Sequence, residues 1–361
     1  MHIFLIITSF DIGGAERVAI NIAKSKNPQF TYHLIEVVKG NSSFSNELKE
    51  ELETNNILFH CSPFENKKIA ICLFWVWFSS YYVRYKPVVI HAHTEIPDLA
   101  LWIFRRISWL FRGINPRYLR TIHNTLLWDQ WGQLGELVER YYLKHQSNIA
   151  ISTSTQDSYV KRFGGSNPPI IYNGLEEVKQ KLFEGIKEER INILFAGRLE
   201  YQKGIDELIA VIKAFQDDVR FYFTVVGNGS MKEKMEKAFE GLKNVSMYDK
   251  IFGLSHYLSS FDYLIMPSNH EGLALMSIEA SLAHTPTIMN RCPGLVETLP
   301  NNWKLAVNHN DVTGFVRIIS SLSDMVEYRS LAESAYRFAC ENFSIERMQE
   351  QYELLYRNKS K

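Results

Sequence analysis

The positions of hydrophobic residues along the chain predict buried strands alternating with helices. Short, uninterrupted apolar runs recur through the first half, and helical patterns lie between them. Such runs are typical of strands in a parallel sheet, because helices cover that kind of sheet on both faces. The predicted strands of this half are residues 2–7, 31–38, 57–60, 88–93, 118–123 and 148–152.

The second half repeats the alternation. Its predicted strands are residues 191–196, 221–226, 245–248, 263–266 and 287–289, and its predicted helices are residues 204–215, 230–239, 254–260 and 273–283. A polar stretch at residues 173–190 separates the halves and predicts a hinge. We therefore expect an α/β protein with two doubly wound, Rossmann-like domains, residues 1–172 and 173–342, facing a central cleft. Ligands of such sheets bind at the carboxyl ends of the strands.

Composition narrows the class of protein. A chain of 361 residues exceeds what one hydrophobic core usually serves, and 46% hydrophobic residues is the content of a folded enzyme. Forty basic and forty acidic residues cancel to a net charge of zero, which argues against nucleic acid as a partner. The four cysteines have neither zinc-ligand nor disulfide-framework spacing, so a reducing, cytoplasmic location is expected.

Two glutamates follow the predicted strand 263–266. Glu271 precedes Gly272, and Glu279 comes eight positions after Glu271, with an apolar run between them. If a helix begins near Gly272, the first carboxylate lies at its N-terminus and the second lies roughly 12 Å further along its axis, at ~1.5 Å per residue. That is about the reach of a nucleotide sugar, and a helix N-terminus favours anions and hydroxyl oxygens. The alternative is an amphipathic helix with two unrelated surface glutamates.

Two cations follow the predicted strand 191–196. Arg198 comes directly after Gly197, and Lys203 precedes Gly204 where the next helix is expected. A guanidinium and an ammonium group at this spacing can grip a diphosphate from two sides. A solvated charge pair at the start of a helix is the alternative.

Glycine-containing turns follow two further strands. Gly13 and Gly14 lie between the first strand and a helix, where backbone N–H groups could approach a phosphate or a sugar. Gly227 follows the strand 221–226 and could likewise bring backbone close to a nucleoside. A plain turn is the alternative at both places. The sequence after the first strand is not G-x-G-x-x-G, so hydride chemistry lacks its main support.

Histidines end two strands of the first half. His93 and His123 could each hydrogen-bond a sugar hydroxyl or a phosphate oxygen. His91 and His93 could instead ligate a metal, although no third ligand is evident. The chain contains no D-x-D, the acidic pair that often holds a diphosphate through a metal. We therefore expect no metal, with basic side chains and helix ends neutralising a diphosphate.

The region of residues 67–120 is basic and aromatic. Its acids are Glu95 and Asp98, and tryptophan and phenylalanine alternate with the cations. Those cations are Lys67, Lys68, Arg84, Lys86, Arg105, Arg106, Arg112, Arg117 and Arg120. Residues 69–83 carry no charge but are fewer than the ~20 residues of a spanning helix. Such a region suits an anionic membrane surface, and buried helix faces with solvated arginines are the alternative.

Together these motifs resemble the retaining GT-B glycosyltransferases of family 4, the glycosyl transferases group 1. The likeness covers most of the chain and keeps the family's order of motifs. It is carried by Gly13-Gly14-Ala15-Glu16, Thr121-Ile122-His123-Asn124, Asn173-Gly174, Gly197-Arg198, Lys203-Gly204 and the pair Glu271 and Glu279. Ala274 stands where many members have proline or glycine, and Pro293-Gly294 replaces a frequent Gly-Gly.

The resemblance implies a role for each matched residue. Arg198 and Lys203 would hold the diphosphate of the donor, Glu279 would bind the ribose and Glu271 the sugar hydroxyls, and His123 would face the transferred sugar. The catalytic residues would thus be His123, Arg198, Lys203 and Glu271. The other donor-binding residues implied are Gly13, Gly14, Gly197, Gly227, Gly272, Leu273, Ala274 and Leu275. The acceptor-side candidates are Glu16, His93 and Asn124.

The resemblance also implies an activity and a location. The expected enzyme is a retaining, metal-independent hexosyltransferase without a cofactor, which moves a hexosyl or N-acetylhexosaminyl unit from a UDP-sugar to a saccharide acceptor. The acceptor would be lipid-linked, in bacterial surface polysaccharide synthesis such as lipopolysaccharide or capsule, at the inner face of the cell membrane. A final helix at residues 343–356, within the segment 343–361, would cross back to the first domain. The alternatives are a sugar-nucleotide epimerase and a non-catalytic, transferase-like partner subunit.

Overall fold

The computed structural model describes residues 1–11, 13–128, 132–322 and 325–357. Two compact units divide the chain. The first unit comprises Met1–Gly174 together with the segment that begins at Ile345, and the second comprises Leu175–Ser344. The sequence placed the corresponding boundaries after residues 172 and 342.

The first unit contains a parallel, six-stranded sheet with strand order β3-β2-β1-β4-β5-β6. Helices connect consecutive strands. The elements are β1 (His2–Ile7), α1 (Gly14–Ala23), β2 (Thr31–Glu36), α2 (Ser43–Thr54), β3 (Leu58–His60), α3 (Lys67–Tyr85), β4 (Val89–His93), α4 (Glu95–Arg105), β5 (Arg117–Ile122), α5 (Gly132–Lys144), β6 (Asn148–Ala150) and α6 (Thr153–Phe163).

Both faces of this sheet are covered, which explains why β1 is a nearly continuous apolar run. Alternate residues of β1 enter different cores: Ile3 and Leu5 pack with residues of α1 and α2, whereas Phe4 and Ile6 pack with residues of α3, α4 and α5. Side chains of a strand point alternately to its two faces, so a doubly covered strand needs an apolar residue at every position.

The second unit repeats the architecture. Its elements are β7 (Ile191–Ala196), α7 (Ile205–Ala214), β8 (Phe221–Val226), α8 (Lys232–Phe239), β9 (Val245–Tyr248), β10 (Tyr263–Met266), α9 (Leu275–Leu282), β11 (Thr287–Asn290), β12 (Ala306–Val307), α10 (Val312–Ser320) and α11 (Met325–Phe343). The parallel sheet has the order β12-β11-β10-β7-β8-β9. Residues 254–260, predicted to be helical, form a 3₁₀ helix.

The last helix, α12 (Ile345–Arg357), packs within the first unit. Its buried residues Met348 and Tyr352 join the core that contains β1 and α1. Gln349 Nε2 donates to Asn21 O at 2.6 Å, and Arg117 Nη1 donates to Leu355 O at 2.7 Å. The helix expected at residues 343–356 is therefore present and begins two residues later, at Ile345.

Each sheet has a topological switch point, where consecutive connections lead to opposite sides. It lies between β1 and β4 in the first unit and between β7 and β10 in the second. Ligands of doubly wound sheets bind at the carboxyl ends of the strands beside such a point. The loop with Arg198 and Lys203 follows β7, and the loop with Glu271 follows β10, so the fold brings these two sequence motifs to one edge of one sheet.

Candidate functional site

The loop after β10 is held by amide side chains from neighbouring segments. Asn310 Nδ2 donates to Pro267 O at 2.6 Å, Asn290 Nδ2 to Ser268 O at 2.9 Å, and Gln202 Nε2 to His270 O at 2.9 Å. Asn290 and Asn310 are buried. Three side-chain amides bound to carbonyls between Pro267 and His270 fix the path of the backbone that leads into Glu271.

Gly294 sets the shape of the next residues. Its φ is +76°, and a Cβ there would lie 2.2 Å from Glu271 O and 2.8 Å from Gly272 O. The two segments are joined by hydrogen bonds from Glu271 N to Pro293 O and from Ala274 N to Gly294 O, both at 3.0 Å. Only glycine permits this close approach with a positive φ.

The prediction that a helix begins near Gly272 is wrong. Helix α9 begins at Leu275, because Ala274 has a φ of −79° and a ψ of +80°, outside the helical region, and its N–H bonds to Gly294 O. Glu271 therefore lies in a fixed loop, and the spacing of roughly 12 Å along one helix axis does not apply to the pair. Glu279 lies within α9 and is half-buried.

Lys203 and Glu271 form an ion pair. Lys203 Nζ lies 2.6 Å from Glu271 Oε1, and the same oxygen accepts a hydrogen bond from Ser268 Oγ at 2.7 Å. The Glu271 side chain is 6% exposed and that of Lys203 is 17% exposed. The sequence assigned these residues to different parts of a donor, whereas the structure joins the ammonium group of one to the carboxylate of the other.

Arg198 is the exposed cation of the site. Its Nη2 lies 3.3 Å from Gln202 Oε1, within the turn that joins β7 to α7. Gln202 also accepts, through its carbonyl oxygen, a hydrogen bond from Asn269 N at 2.8 Å. Gln202 thus connects the loop of Arg198 to the loop of Glu271, a role that the sequence did not indicate.

Glycines at two positions of this site are required by the backbone itself. A Cβ on Gly204, whose φ is +66°, would lie 1.7 Å from Pro267 O, and a Cβ on Gly227 would lie 1.9 Å from Gly197 O. Leu199 N also donates to Asn228 O at 2.9 Å. Gly227 therefore lets the turn after β8 pack against the loop of Arg198, which is sufficient reason for a glycine there.

Gly197 differs, because no described neighbour requires its lack of a side chain. A Cβ there would make ordinary contacts of 3.6 Å with Lys203 Cε and 3.8 Å with Phe195 Cζ. We expect Gly197→Ala to keep the melting temperature of the wild type but to weaken donor binding about tenfold or more, because an added methyl group where backbone meets ligand typically costs about 1–3 kcal/mol. Calorimetric titration with the donor measures the effect. Gly227→Ala is the contrasting variant and should lose stability, and an unchanged donor affinity in Gly197→Ala would show that the donor stays away from this backbone.

Cys292 is a buried residue of the site that the sequence did not single out. Burial, followed by the nearby Glu271 carboxylate, raises the pKa of its thiol to about 12. The thiol is therefore neutral at physiological pH and is not a nucleophile. The signal available in the sequence was its position three residues after the predicted strand 287–289.

Two of the backbone N–H groups in the segment implied to bind the donor already donate hydrogen bonds within the protein. The N–H of Leu275 donates to Leu273 O at 3.0 Å, and the N–H of Ala274 bonds to Gly294. Any contact of Ala274 or Leu275 with a donor would therefore use other atoms. Gly272 lies between Glu271 and these residues, in the same fixed loop.

In the first unit, the histidines at the strand ends lie together, with His93 buried and His123 half-buried. His93 Nδ1 lies 3.1 Å from His123 Nε2, so one of these nitrogens donates to the other. Burial lowers the pKa of His123 to about 3, and burial with the neighbouring His91 and His123 lowers that of His93 well below its usual range. Both rings are thus neutral at physiological pH and can exchange hydrogen bonds but not act as strong acids.

His91 serves the packing of α12. Its Nδ1 lies 2.7 Å from the Tyr356 hydroxyl, and its Nε2 lies 2.8 Å from Thr121 Oγ1. Both ring nitrogens are therefore occupied, which excludes the alternative of a metal held by His91 and His93 in this arrangement. Among the described residues, no group of three or more His, Cys, Asp and Glu side chains could hold a metal ion.

The start of α1 gathers the other first-unit candidates. Gly13 is the residue before the helix, which begins at Gly14 with an exposed backbone. A Cβ on Gly13 would lie 2.2 Å from Glu16 Oε2, so the carboxylate of Glu16 folds back over Gly13. Burial raises the pKa of Glu16 to about 7. Asn124, directly after His123, is exposed.

Comparison with known proteins gives matches along most of the chain. Residues 12–178 match the family model for Glycosyltransferase Family 4, and residues 190–324 match that for Glycosyl transferases group 1. A 41.2 kDa protein of the cps region of Klebsiella pneumoniae is 26% identical over 292 residues, which cover 75% of this chain and 78% of that protein. The O-antigen biosynthesis glycosyltransferase WclY of Escherichia coli is 24% identical over 293 residues, covering 75% and 79% of the two chains.

Solved structures share the whole fold. The crystal structure of HepE of Anabaena in complex with UDP and glucose aligns with a TM-score of 0.77 at 17% identity, over 99% of each chain. The predicted fold class is confirmed by this likeness and by the two parallel sheets. The chain belongs to the GT-B glycosyltransferases of group 1, as the sequence motifs indicated.

Proposed function

We propose that this glycosyltransferase moves a hexosyl or N-acetylhexosaminyl unit, with retention of configuration, from a UDP-sugar to a saccharide acceptor during synthesis of a surface polysaccharide. The observation that carries the proposal is the Lys203–Glu271 pair beside the exposed Arg198, at the switch point of the second sheet. HepE in complex with UDP and glucose supports a UDP-sugar as donor. WclY, an O-antigen glycosyltransferase, supports the saccharide acceptor. A lipid-linked form of that acceptor is part of the proposal.

Arg198 and Lys203 are proposed to stabilise the leaving diphosphate. Breaking the anomeric C–O bond through an oxocarbenium-like state places negative charge on the departing diphosphate. Preorganised cations lower the energy of that charge without any reorganisation during the reaction. An ammonium group has three donors, so Lys203 can keep its bond to Glu271 and still donate to a phosphate oxygen. The reaction is proposed to need neither a metal nor a cofactor.

Glu271 is proposed to bind the sugar rather than to attack it. Its Oε1 accepts from both Lys203 Nζ and Ser268 Oγ, which stabilises the charged carboxylate and lowers its nucleophilicity. The acceptor would then attack from the face that the diphosphate leaves, with a phosphate oxygen taking the acceptor proton. Glu279 is proposed to bind the ribose.

The first-unit residues keep their predicted roles as proposals. His123 is proposed to hydrogen-bond the transferred sugar as a neutral ring, in keeping with its lowered pKa of about 3. His93 supports it through their shared hydrogen bond. Gly14 is proposed to contact the donor, and Glu16 and Asn124 are proposed to contact the acceptor.

Product analysis tests the proposal. Wild-type enzyme is incubated with a UDP-sugar and a saccharide acceptor, with and without a chelator, and the anomeric configuration of the product is read by NMR. We expect transfer with retained configuration in both samples. An inverted product would contradict retention, and loss of transfer with the chelator would contradict a metal-independent reaction. A covalent glycosyl adduct on Glu271 in mass spectra would contradict its proposed role in binding the sugar. Conversion of the donor to its epimer without acceptor would support the epimerase, and no turnover would support the non-catalytic subunit.

A further inference from the structure

Helix α3 is apolar around its whole circumference, yet the first unit covers only one of its faces. Residues that recur at helical spacing pack into the core beneath β1 and β4. They are Ala70, Ile71, Phe74, Phe78 and Tyr82. An all-round apolar helix is normally buried on every side, so the uncovered side of α3 lacks a packing partner among the residues that the structure describes.

The outer face of α3 consists of Ile69, Cys72, Leu73, Val76, Ser80 and Val83, which lie opposite the buried residues at the same helical spacing. Four of these are large apolar side chains with exposures of 49%, 40%, 51% and 46%, for Ile69, Leu73, Val76 and Val83 respectively. Ser80 Oγ donates to Trp77 O at 2.7 Å, so its hydroxyl is satisfied within the helix. The outer face therefore presents a continuous apolar strip to solvent.

A second exposed apolar element lies beside α3. Trp109 is 72% exposed and Leu110 is 57% exposed, in the 3₁₀ turn Ser108–Leu110. The turn is attached to α3 through Tyr82, whose ring centre lies 5.7 Å from that of Phe111 and whose hydroxyl donates to Ile114 O at 3.2 Å.

Cations flank the outer face at both ends of the helix. Lys67 and Lys68 are exposed at its start, Arg84 and Lys86 are exposed at its end, and no acidic residue occurs in residues 67–86. Two arginines beyond the helix, within the basic and aromatic region of residues 67–120, pack against aromatic rings of the protein itself. The guanidinium of Arg105 lies 4.2 Å from the ring centres of both Tyr118 and Tyr141, and that of Arg106 lies 4.2 Å from the ring centre of Trp102.

We propose that the outer face of α3 docks on an anionic lipid membrane, with the helix lying in the plane of the interface. No helix of the described ranges is long and apolar enough to cross a bilayer. An interfacial helix gains from inserting apolar side chains between the headgroups while its lysines and arginines contact anionic lipid. Two copies paired through this face would instead bring cation against cation, because the helix has no acid to compensate them.

This inference goes beyond the proposed function and does not depend on the donor. Flotation with vesicles of equimolar phosphatidylglycerol and phosphatidylcholine measures it, with pure phosphatidylcholine vesicles as reference. We expect the wild type to float with the anionic vesicles. Leu73→Gln combined with Val76→Gln should abolish flotation. Lys67→Gln, Lys68→Gln and Lys86→Gln together should weaken anionic binding about a hundredfold, at about fivefold for each cation near the surface.

Matched controls make the result specific to the outer face of α3. Leu182→Gln with Val219→Gln removes two apolar side chains that are 88% and 73% exposed in the second unit and should leave flotation unchanged. Thermal-shift measurements on every variant separate two properties. The melting temperature without UDP reports on folding, and its rise on adding UDP reports on the proposed function. Flotation of the Leu73→Gln, Val76→Gln variant at the wild-type level would overturn the proposal. So would absence of wild-type flotation, or a wild-type dimer in light scattering that this variant dissociates.

Discussion

Lys203→Ala should lower both the stability of the second unit and the rate of sugar transfer, whereas Arg198→Ala should lower the rate alone. Removing Lys203 takes away the ammonium group that lies 2.6 Å from the buried Glu271 carboxylate. Breaking a buried ion pair costs about 3 kcal/mol or more, which corresponds to a fall of roughly 6–12 °C in melting temperature for a unit of this size. Calorimetry and initial-rate assays with the same preparations measure both effects.

Arg198 is exposed, hydrogen-bonds to the neutral side chain of Gln202 and interacts with the Glu200 carboxylate at the surface. Exposed ion pairs contribute little to stability, so removal of Arg198 should leave the melting temperature nearly unchanged. Its loss should reduce turnover about 10- to 150-fold, since a charge-assisted hydrogen bond contributes about 1.5–3 kcal/mol. Arg329→Ala, at an exposed arginine of the same unit, is the matched control and should behave as wild type. Turnover within about threefold of wild type in either active-site variant would show that the residue does not stabilise the leaving diphosphate.

A double variant separates the two consequences of losing Lys203. In Lys203→Ala with Glu271→Gln, no carboxylate remains to be left without its cation, so most of the lost stability should return. Sugar transfer should stay low, because both groups proposed to contact the donor are changed. Recovery of transfer together with stability would show that Lys203 acts only by holding the fold.

The second large effect concerns the core of the first unit. We expect Arg120→Met to destabilise that unit by about 3–5 kcal/mol, because it removes the only cation that contacts two buried carboxylates in the described core. Arg120 Nη1 lies 3.1 Å from Asp98 Oδ2 and its Nη2 lies 2.5 Å from Glu139 Oε2, while its Nε donates to Asn148 Oδ1 at 2.7 Å. Hydrogen exchange of β4 and β5 amides should accelerate at least about a hundredfold.

The pH dependence identifies the cause of this loss. Burial already raises the pKa of Asp98 to about 7, and loss of the guanidinium would raise it further. When a carboxyl group has a higher pKa in the folded than in the unfolded state, the free energy of unfolding falls as the pH rises between those two pKa values. The variant should therefore be less stable at pH 8 than at pH 5, relative to wild type. Arg140→Met, at an exposed arginine next to Glu139, should have no effect, and an equal loss in the two variants would refute the explanation.

Strands β7, β8 and β10 of the second unit could be predicted from sequence because they are buried on both faces, whereas the two-residue strand β12 was not predicted. The predicted bounds of β7, β8, β9 and β10 coincide with the observed ones, and in β7, β8 and β10 the apolar runs end where the strands end. β6 was predicted to reach residue 152 but ends at Ala150. The reason is local: Ser152 Oγ accepts from Thr155 N at 3.0 Å and caps the following helix.

The detailed geometry of the candidate site could not be predicted in the same way. The motifs around Arg198, Lys203 and Glu271 were evident because each follows an apolar run. Their pairing was not, because 68 residues separate Lys203 from Glu271 and only the order of the strands brings them together. The predicted start of α9 was wrong for a similar reason. The backbone around Glu271 hydrogen-bonds to the segment at Gly294, which follows the helix in sequence.

The central claim is that the second unit binds the diphosphate of a nucleotide sugar through its switch-point cations. The most direct measurement is a thermal-shift panel of UDP-, GDP- and ADP-sugars on the wild-type protein without added metal. A ligand that binds only the folded state raises its stability by about 2.7 kcal/mol at a hundred times its dissociation constant. We predict that a UDP-sugar raises the melting temperature and that UDP alone does so as well. A melting temperature that no nucleotide or nucleotide sugar of the panel changes would contradict the claim.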